Sequence, residues 1–112
     1  MATKTSACTI ANGSTTSIAV DTGAADSLQG LVGFVMPAAF TGASVSFQVS
    51  TDDSTYQALY DSSNSVVSIT VSASRSYAFK QDIRSCLSPW RYIKFVSASS
   101  EGADRTITLL TK

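Results

Sequence analysis

Side chains that could do chemistry are few, and their types exclude most catalytic mechanisms. The 112-residue chain contains no histidine, which is the commonest general base and the commonest metal ligand in proteins. Its two cysteines, Cys8 and Cys86, stand far apart and lack the C-x-x-C spacing of a structural zinc site. The glycines are scattered, so no phosphate-binding loop is indicated. We therefore predict that the protein is not an enzyme and uses no cofactor or metal.

Asp52 and Asp53 are the only adjacent carboxylates. A catalytic carboxylate pair must be held apart across a cleft, whereas calcium prefers clustered oxygen ligands. The run from Thr51 to Thr55 is typical of a turn, because Asp and Ser side chains there hydrogen-bond their own backbone. We interpret the run as a turn, and a calcium ion at Asp52 or Asp53 stays an alternative.

Aromatic residues give two further candidates. Trp90, with Arg91 and Tyr92, could form a platform for a sugar or a base, but a tryptophan that enters a central strand is more typical of a core. Tyr56 and Tyr60 are predicted to share one side of a strand, as at a sheet edge or a protein contact. Tyr56, Tyr60 and Lys4 are therefore the candidate protein-contact residues.

The elements that must position these side chains are strands. Period-two alternation of apolar and polar residues predicts three half-buried strands, within residues 44–50, 66–72 and 105–111. Two runs that are apolar on both faces predict central strands, LVGFVMP (31–37) and WRYIKFVS (90–97). Weaker strand candidates are CTIA (8–11), TSIAV (16–20), YQALY (56–60) and YAFK (77–80).

Turn-forming clusters separate the predicted strands, and long helical periodicity is lacking. At most one short helical turn is expected near residues 81–87, which Pro89 would end. This pattern predicts an all-β fold, an antiparallel β-sandwich or jelly roll of about eight strands. The length predicts a single domain over residues 1–112, with residues 1–8 as a candidate N-terminal arm.

Charge restricts the partners. Eight basic residues balance eight acidic ones, and charged residues make up only 14% of the chain. Such a chain has no excess positive charge to bind a nucleic-acid backbone or anionic lipid, so neither is an expected partner. The sequence contains no apolar run of the ~20 residues that cross a bilayer and no recognisable export signal. Without an export signal we expect the cysteines to be reduced. The low charge and the abundant Ser and Thr predict a surface rich in hydroxyl groups, which suits contact with protein.

The segments SFQVSTDDSTYQALYD (46–61), WRYIKFVS (90–97) and ADRTITLLTK (103–112) resemble those of small β-sandwich proteins of tailed bacteriophage virions. The resemblance covers residues 31–112. The same strands also look like those of galactose-binding jelly rolls, many of which bind sugars through loops at one end.

The phage resemblance implies a capsid decoration or cement protein, which clamps neighbouring major capsid subunits on the exterior of the virion. It implies synthesis in the cytoplasm of the bacterial host, contact with the major capsid protein or another virion protein, and a homo-oligomer, a trimer or dimer. The alternative is a carbohydrate-binding module, or an accessory module of the tail, neck or baseplate.

Overall fold

The structure, a computed structural model, describes residues 4–21, 31–87 and 90–111. These residues form strands and one short helix, so the all-β prediction is confirmed. The strands are β1 (Lys4–Ile10), β2 (Val20–Asp21), β3 (Leu31–Val35), β4 (Ser44–Ser50), β5 (Gln57–Ala58), β6 (Ser68–Thr70), β7 (Ser76–Ala78), β8 (Tyr92–Ser97) and β9 (Arg105–Thr111). The helix, α1, spans Gln81–Leu87.

The strands pair in a nested order within two antiparallel sheets. β1 pairs with β9, β2 with β8, β3 with β7, and β4 with both β5 and β6. One sheet has the order β1-β9-β3-β7, and the other has the order β2-β8-β4-β5 with β6 also on β4. Alternate nested pairs thus lie in opposite sheets, as in a jelly roll. The predicted central strands, β3 and β8, are both internal.

The inward faces of the sheets meet in an aromatic core. The Phe95 ring centroid lies 5.0 Å from that of Phe47 and 5.6 Å from that of Phe34, both with edge-on geometry. Phe79 packs 5.3 Å from Phe34, so both sheets and the segment before α1 contribute to one cluster. Such edge-on and tilted pairs are favourable beyond the area that they bury.

The period-two prediction of which residues face inward is confirmed along β4 and β9. Val45, Phe47 and Val49 are buried on β4, and Ile107 and Leu109 are buried on β9. The strand predicted over residues 66–72 is shorter, because the chain changes hydrogen-bond partners at both of its ends. The Val67 N–H donates to Leu59, and the Val71 N–H donates to Ala43.

Residues proposed as an N-terminal arm overlap β1. From Lys4 onward the chain pairs with β9 in continuous register, from Lys4 opposite Thr111 to Ile10 opposite Arg105. Residues 1–3 lie outside the described part of the chain. Residues 4–8 therefore belong to a sheet.

The helix α1 occupies the predicted short helical segment. Leu87 is buried, and Ile83 and Cys86 pack against the core from one side of the helix. This apolar side stabilises a helix that is too short to be stable alone. Both cysteines are free thiols, with Cys8 fully buried. Within the described ranges, no helix is long and apolar enough to span a membrane.

Removing an aromatic ring from the core should destabilise the fold strongly. Phe47 is 0% exposed, and we expect Phe47→Ala to lower the free energy of unfolding by about 3–5 kcal/mol. Equilibrium urea denaturation measures this change. The matched control is Ser46→Ala on the outer face of the same strand, which should change stability by less than about 0.5 kcal/mol. Equal effects of the two substitutions would contradict the assigned inward face.

Candidate functional site

The loop between β4 and β5 is a turn built by its own polar side chains, as the sequence predicts. Asp52 Oδ1 accepts hydrogen bonds from the N–H groups of Ser54 (2.9 Å) and Thr55 (3.1 Å). The Ser50 hydroxyl also donates to this oxygen. The bonds from Thr55, Ser54 and Ser50 lower the pKa of the Asp52 carboxyl. Local backbone contacts therefore explain the carboxylate at Asp52.

Potential metal ligands are dispersed. Within residues 4–21, 31–87 and 90–111, no three Asp, Glu or Cys side chains come close enough to share a metal ion.

Tyr56, one of the predicted contact residues, is half-buried and is contacted at its hydroxyl group and at one face of its ring. Its hydroxyl donates to Asp53 Oδ1, and the Lys94 ammonium lies 4.2 Å from its ring centroid. Burial and the hydrogen bond to Asp53 raise the pKa of the Tyr56 phenol, so it stays protonated. Because the lysine covers one ring face, Tyr56 is part of an outer-face cluster and does not project freely.

Tyr60, the second predicted contact residue, is 53% exposed and lies opposite Val66, which is 49% exposed. The two residues form an isolated antiparallel bridge, and directly opposite residues in such a pair share one side of the ribbon. The turn that joins them is fixed by Asp61, whose carboxylate accepts from the N–H groups of Ser63 and Ser65. We call these two side chains the Tyr60–Val66 pair.

An open groove of ≈ 380 Å³ adjoins Tyr60. Trp90 lines this groove and also packs against the core. Thr51, Asp52 and Gln57 supply polar groups to the walls. The structure thus brings Tyr60 and Trp90 to one groove, a juxtaposition that the sequence pattern did not indicate.

Lys4, the third predicted contact residue, lies elsewhere. It opens β1, and its backbone pairs with Thr111 in the other sheet. Its side chain lies outside the described part of the chain.

The most elaborate polar site is one that the sequence reasoning missed. Glu101, in the β8–β9 loop, is buried, and its carboxylate accepts hydrogen bonds from the β3–β4 loop and from strands β8 and β9. Oε1 accepts from the Thr41 N–H (3.0 Å) and from Arg105 Nε (3.0 Å). Oε2 accepts from the Thr41 hydroxyl (2.9 Å), the Gly42 N–H (3.1 Å) and the Ser97 hydroxyl (3.1 Å).

Backbone groups extend this network, which we call the Glu101 clamp. The Gly13 N–H donates to the Glu101 carbonyl (2.8 Å), and the Glu101 N–H donates to the Ser14 carbonyl (3.2 Å). A Cβ at Gly42 would collide with the Ser97 hydroxyl, so the close approach of these loops needs glycine. The clamp therefore ties the β1–β2, β3–β4 and β8–β9 loops together at one end of the sandwich.

Burial alone would raise the pKa of the Glu101 carboxyl, but the hydrogen bonds from Thr41, Arg105 and Ser97 outweigh it. The net effect is a pKa below the ordinary value of 4.5. Glu101 is thus a buried carboxylate that stays charged because every bonded neighbour is a donor.

Comparisons with models of protein families, with curated proteins and with solved structures found no match.

The Glu101 clamp should make stability depend on pH in the acid range. Because folding lowers the pKa of Glu101, its stabilisation is complete above the unfolded pKa and is lost as the pH falls through the folded pKa. At pH 7, Glu101→Gln should lower the free energy of unfolding by about 2–4 kcal/mol, since the new amide faces donors with a donor. Urea denaturation across pH 3–7 should show the variant and the wild type converging at the acid end.

The matched control for this substitution is Asp104→Asn. Asp104 is an exposed carboxylate of the same loop that accepts from the Asn12 N–H. We expect its loss to cost less than about 1 kcal/mol. A Glu101→Gln deficit that stays constant from pH 7 to pH 3 would contradict the assignment of the charged form as the stabilising one.

Proposed function

We propose that the protein is a structural protein of a tailed bacteriophage virion, a capsid decoration protein that staples neighbouring major capsid subunits on the outer surface of the head. The observation that carries the proposal is the Tyr60–Val66 pair, two apolar side chains presented on a fixed turn at a sheet edge. Tyrosine is enriched at protein contacts, and exposed apolar side chains gathered at one place mark interaction sites.

The outer face of the five-stranded sheet supports contact with protein. β4 and β6 present uncharged hydroxyl and amide side chains there, none of them fully buried: Ser44, Ser46, Gln48, Ser68 and Thr70. A close contact made by such side chains desolvates no charge, so its cost is lower than that of a charged surface. This face continues the surface that begins at the Tyr60–Val66 pair.

A protein that binds only the assembled shell stabilises that shell. A rigid sandwich that binds across the seam between two subunits makes contacts that exist only in the assembled shell, so binding shifts the equilibrium towards assembly. If the protein binds as an oligomer, the second contact forms at a high effective concentration, and weak individual contacts suffice. The phenylalanine core and the Glu101 clamp supply the rigidity that this mechanism requires.

A carbohydrate-binding module is the second candidate, and the groove beside Tyr60 favours it. Tyr60 and Trp90 offer aromatic surface, and Thr51, Asp52 and Gln57 offer hydrogen-bonding groups. This combination of a few polar groups on an apolar wall is typical of small-molecule sites.

Heads of the parent phage, purified after deletion of this gene, test the capsid proposal. We expect added wild-type protein to coat the heads in electron micrographs and to raise the temperature at which they release DNA. The double substitution Tyr60→Ser, Val66→Ser should weaken binding by roughly 10–100-fold, because two apolar side chains are no longer buried.

The matched control removes an exposed apolar residue from the segment between β1 and β2, and β2 is the opposite edge strand of the five-stranded sheet. Ile18 is 59% exposed, and Ile18→Ser should leave binding to heads unchanged. Heads that bind no protein, or that bind the double variant as well as the wild type, would count against the capsid proposal.

A glycan array with the isolated protein separates the two candidates. Under the capsid proposal we expect no glycan signal above background. Strong binding that is lost in Gln57→Ala, with the thermal unfolding temperature unchanged, would instead establish the groove as a sugar site and displace the capsid proposal.

A further inference from the structure

One edge of the four-stranded sheet differs from all the others in length. The edge strands are β1 and β7 in one sheet, and β2 and β5 with β6 in the other. β2 and β5 have two residues each, β6 and β7 have three, and β1 has seven. Unpaired edges invite pairing with another chain, and proteins usually keep them short or protect them. β1 is therefore the one described edge strand that is long enough to pair with another chain.

The sequence of β1 lacks the usual protection. Its one charge is Lys4 at the first position; between Thr5 and Ile10 it carries no charge, proline or glycine, and its register with β9 runs without a bulge. By contrast, the other edge of this sheet, β7, is flanked by Arg75 and Lys80. Thr5, Ser6 and Ala7 are exposed, so small side chains surround an unprotected backbone.

The C-terminal end of this edge is already covered. The Ile18 N–H donates to the Thr9 carbonyl (3.1 Å), and Ile10 bridges to Ser17. The Thr9 carbonyl thus points away from β9. Because backbone groups alternate along a strand, the N–H and C=O groups of Thr5 and Ala7 also point to the outer edge, while those of Ser6 point to β9.

The hydrogen bonds of β3 give the same alternation independently. The Met36 N–H donates to Arg75, and the Phe79 N–H donates to the Val32 carbonyl, so even-numbered residues of β3 point to β7. Odd-numbered residues of β3 then point to β9. The pairing of Gly33 with Leu110 directs even-numbered residues of β9 to β3 and odd-numbered residues to β1. In the register of β1 with β9, these odd-numbered residues pair with even-numbered residues of β1.

We propose that two copies of this chain associate through β1, in antiparallel register about a two-fold axis beside Ser6. In this register Thr5 of each copy lies opposite Ala7 of the other, and the two exchange both their N–H and C=O groups. Among the described residues, nothing else bonds to these outward groups. Ser6 lies opposite its own counterpart, in the type of pair with Cα atoms about 4.5 Å apart.

A second copy fits this edge better than another partner for two reasons. The outward groups of Thr5 and Ala7 are self-complementary about the two-fold axis, and a chain of net charge +0 does not repel its own copy. The two-fold contact also closes, because it uses the only long edge described in each copy, so growth ends at a dimer. Two four-stranded sheets become one continuous sheet.

The isolated protein is sufficient to test this dimer, whatever the function of the protein. Sedimentation equilibrium of the wild type should show a dimer. Ala7→Pro removes an outward N–H that β9 does not use, and proline is tolerated at such edge positions. We expect it to raise the dimer dissociation constant by about 10–100-fold, with an unchanged far-ultraviolet circular dichroism spectrum.

Charge and cross-linking provide tests that do not require proline. Ala7→Lys should also dissociate the dimer, because it places like charges at the contact, while the matched control Ala103→Lys in an exposed loop should not. In a Cys86→Ser background, Ser6→Cys should form an intermolecular disulfide under mild oxidation, since the expected Cα separation allows one. The control Ser99→Cys, at an exposed position away from β1, should cross-link far more slowly.

Three results would overturn the proposal. A wild type that stays monomeric at all concentrations would do so, as would a dimer that Ala7→Lys leaves intact. Equal cross-linking rates for Ser6→Cys and Ser99→Cys would place the contact elsewhere on the chain.

Discussion

The apolar side chains that alternate along β4, β8 and β9 can leave water only if the two sheets lie face to face. Phe47, Phe95 and Leu109 come from three different strands, and each is fully buried. Burying one such side chain contributes roughly 1.5–3 kcal/mol, whereas closing the long loops between these strands costs conformational entropy. In the nested pairing β4 and β8 lie in one sheet and β9 lies in the other, so their apolar faces meet between the two sheets.

The Glu101 clamp lies at one end of the sandwich, where it pairs backbone groups of the loops that the sheets leave unpaired. Loops that cross from one sheet to the other leave backbone N–H groups near the core, where unpaired donors are costly. One carboxylate with two acceptor oxygens satisfies the N–H groups of Thr41 and Gly42 together with side-chain donors. The charge itself is balanced by Arg105, whose side chain is 16% exposed. A buried charge therefore joins the ends of strands that share no ladder.

The sequence predicts those features that repeat along a single strand. Phe47 and Ile107 could be assigned to the core because their neighbours alternate with them in polarity, which is a local property. Two-residue strands such as β2 and β5 carry too few alternations to give a boundary. The role of Glu101 could not be predicted, because its donors lie about sixty positions earlier in the chain and four residues to either side. A glutamate that follows a run of serines is the only local signal.

Tertiary contacts that the local sequence pattern does not encode also distinguish the two predicted contact tyrosines. Tyr56 and Tyr60 share the alternation of one strand, yet Lys94, from another strand, covers Tyr56 and leaves Tyr60 exposed. Pairing partners, which local pattern does not encode, thus decide which tyrosine is available to a neighbour. The same principle governs β1: β9 satisfies the even-numbered residues of that strand, and the outward groups of Thr5 and Ala7 are available to another chain. Exposed side chains at one sheet edge and exposed backbone at another give the molecule two kinds of contact, and the first does not restrict the second because they lie on different sheets.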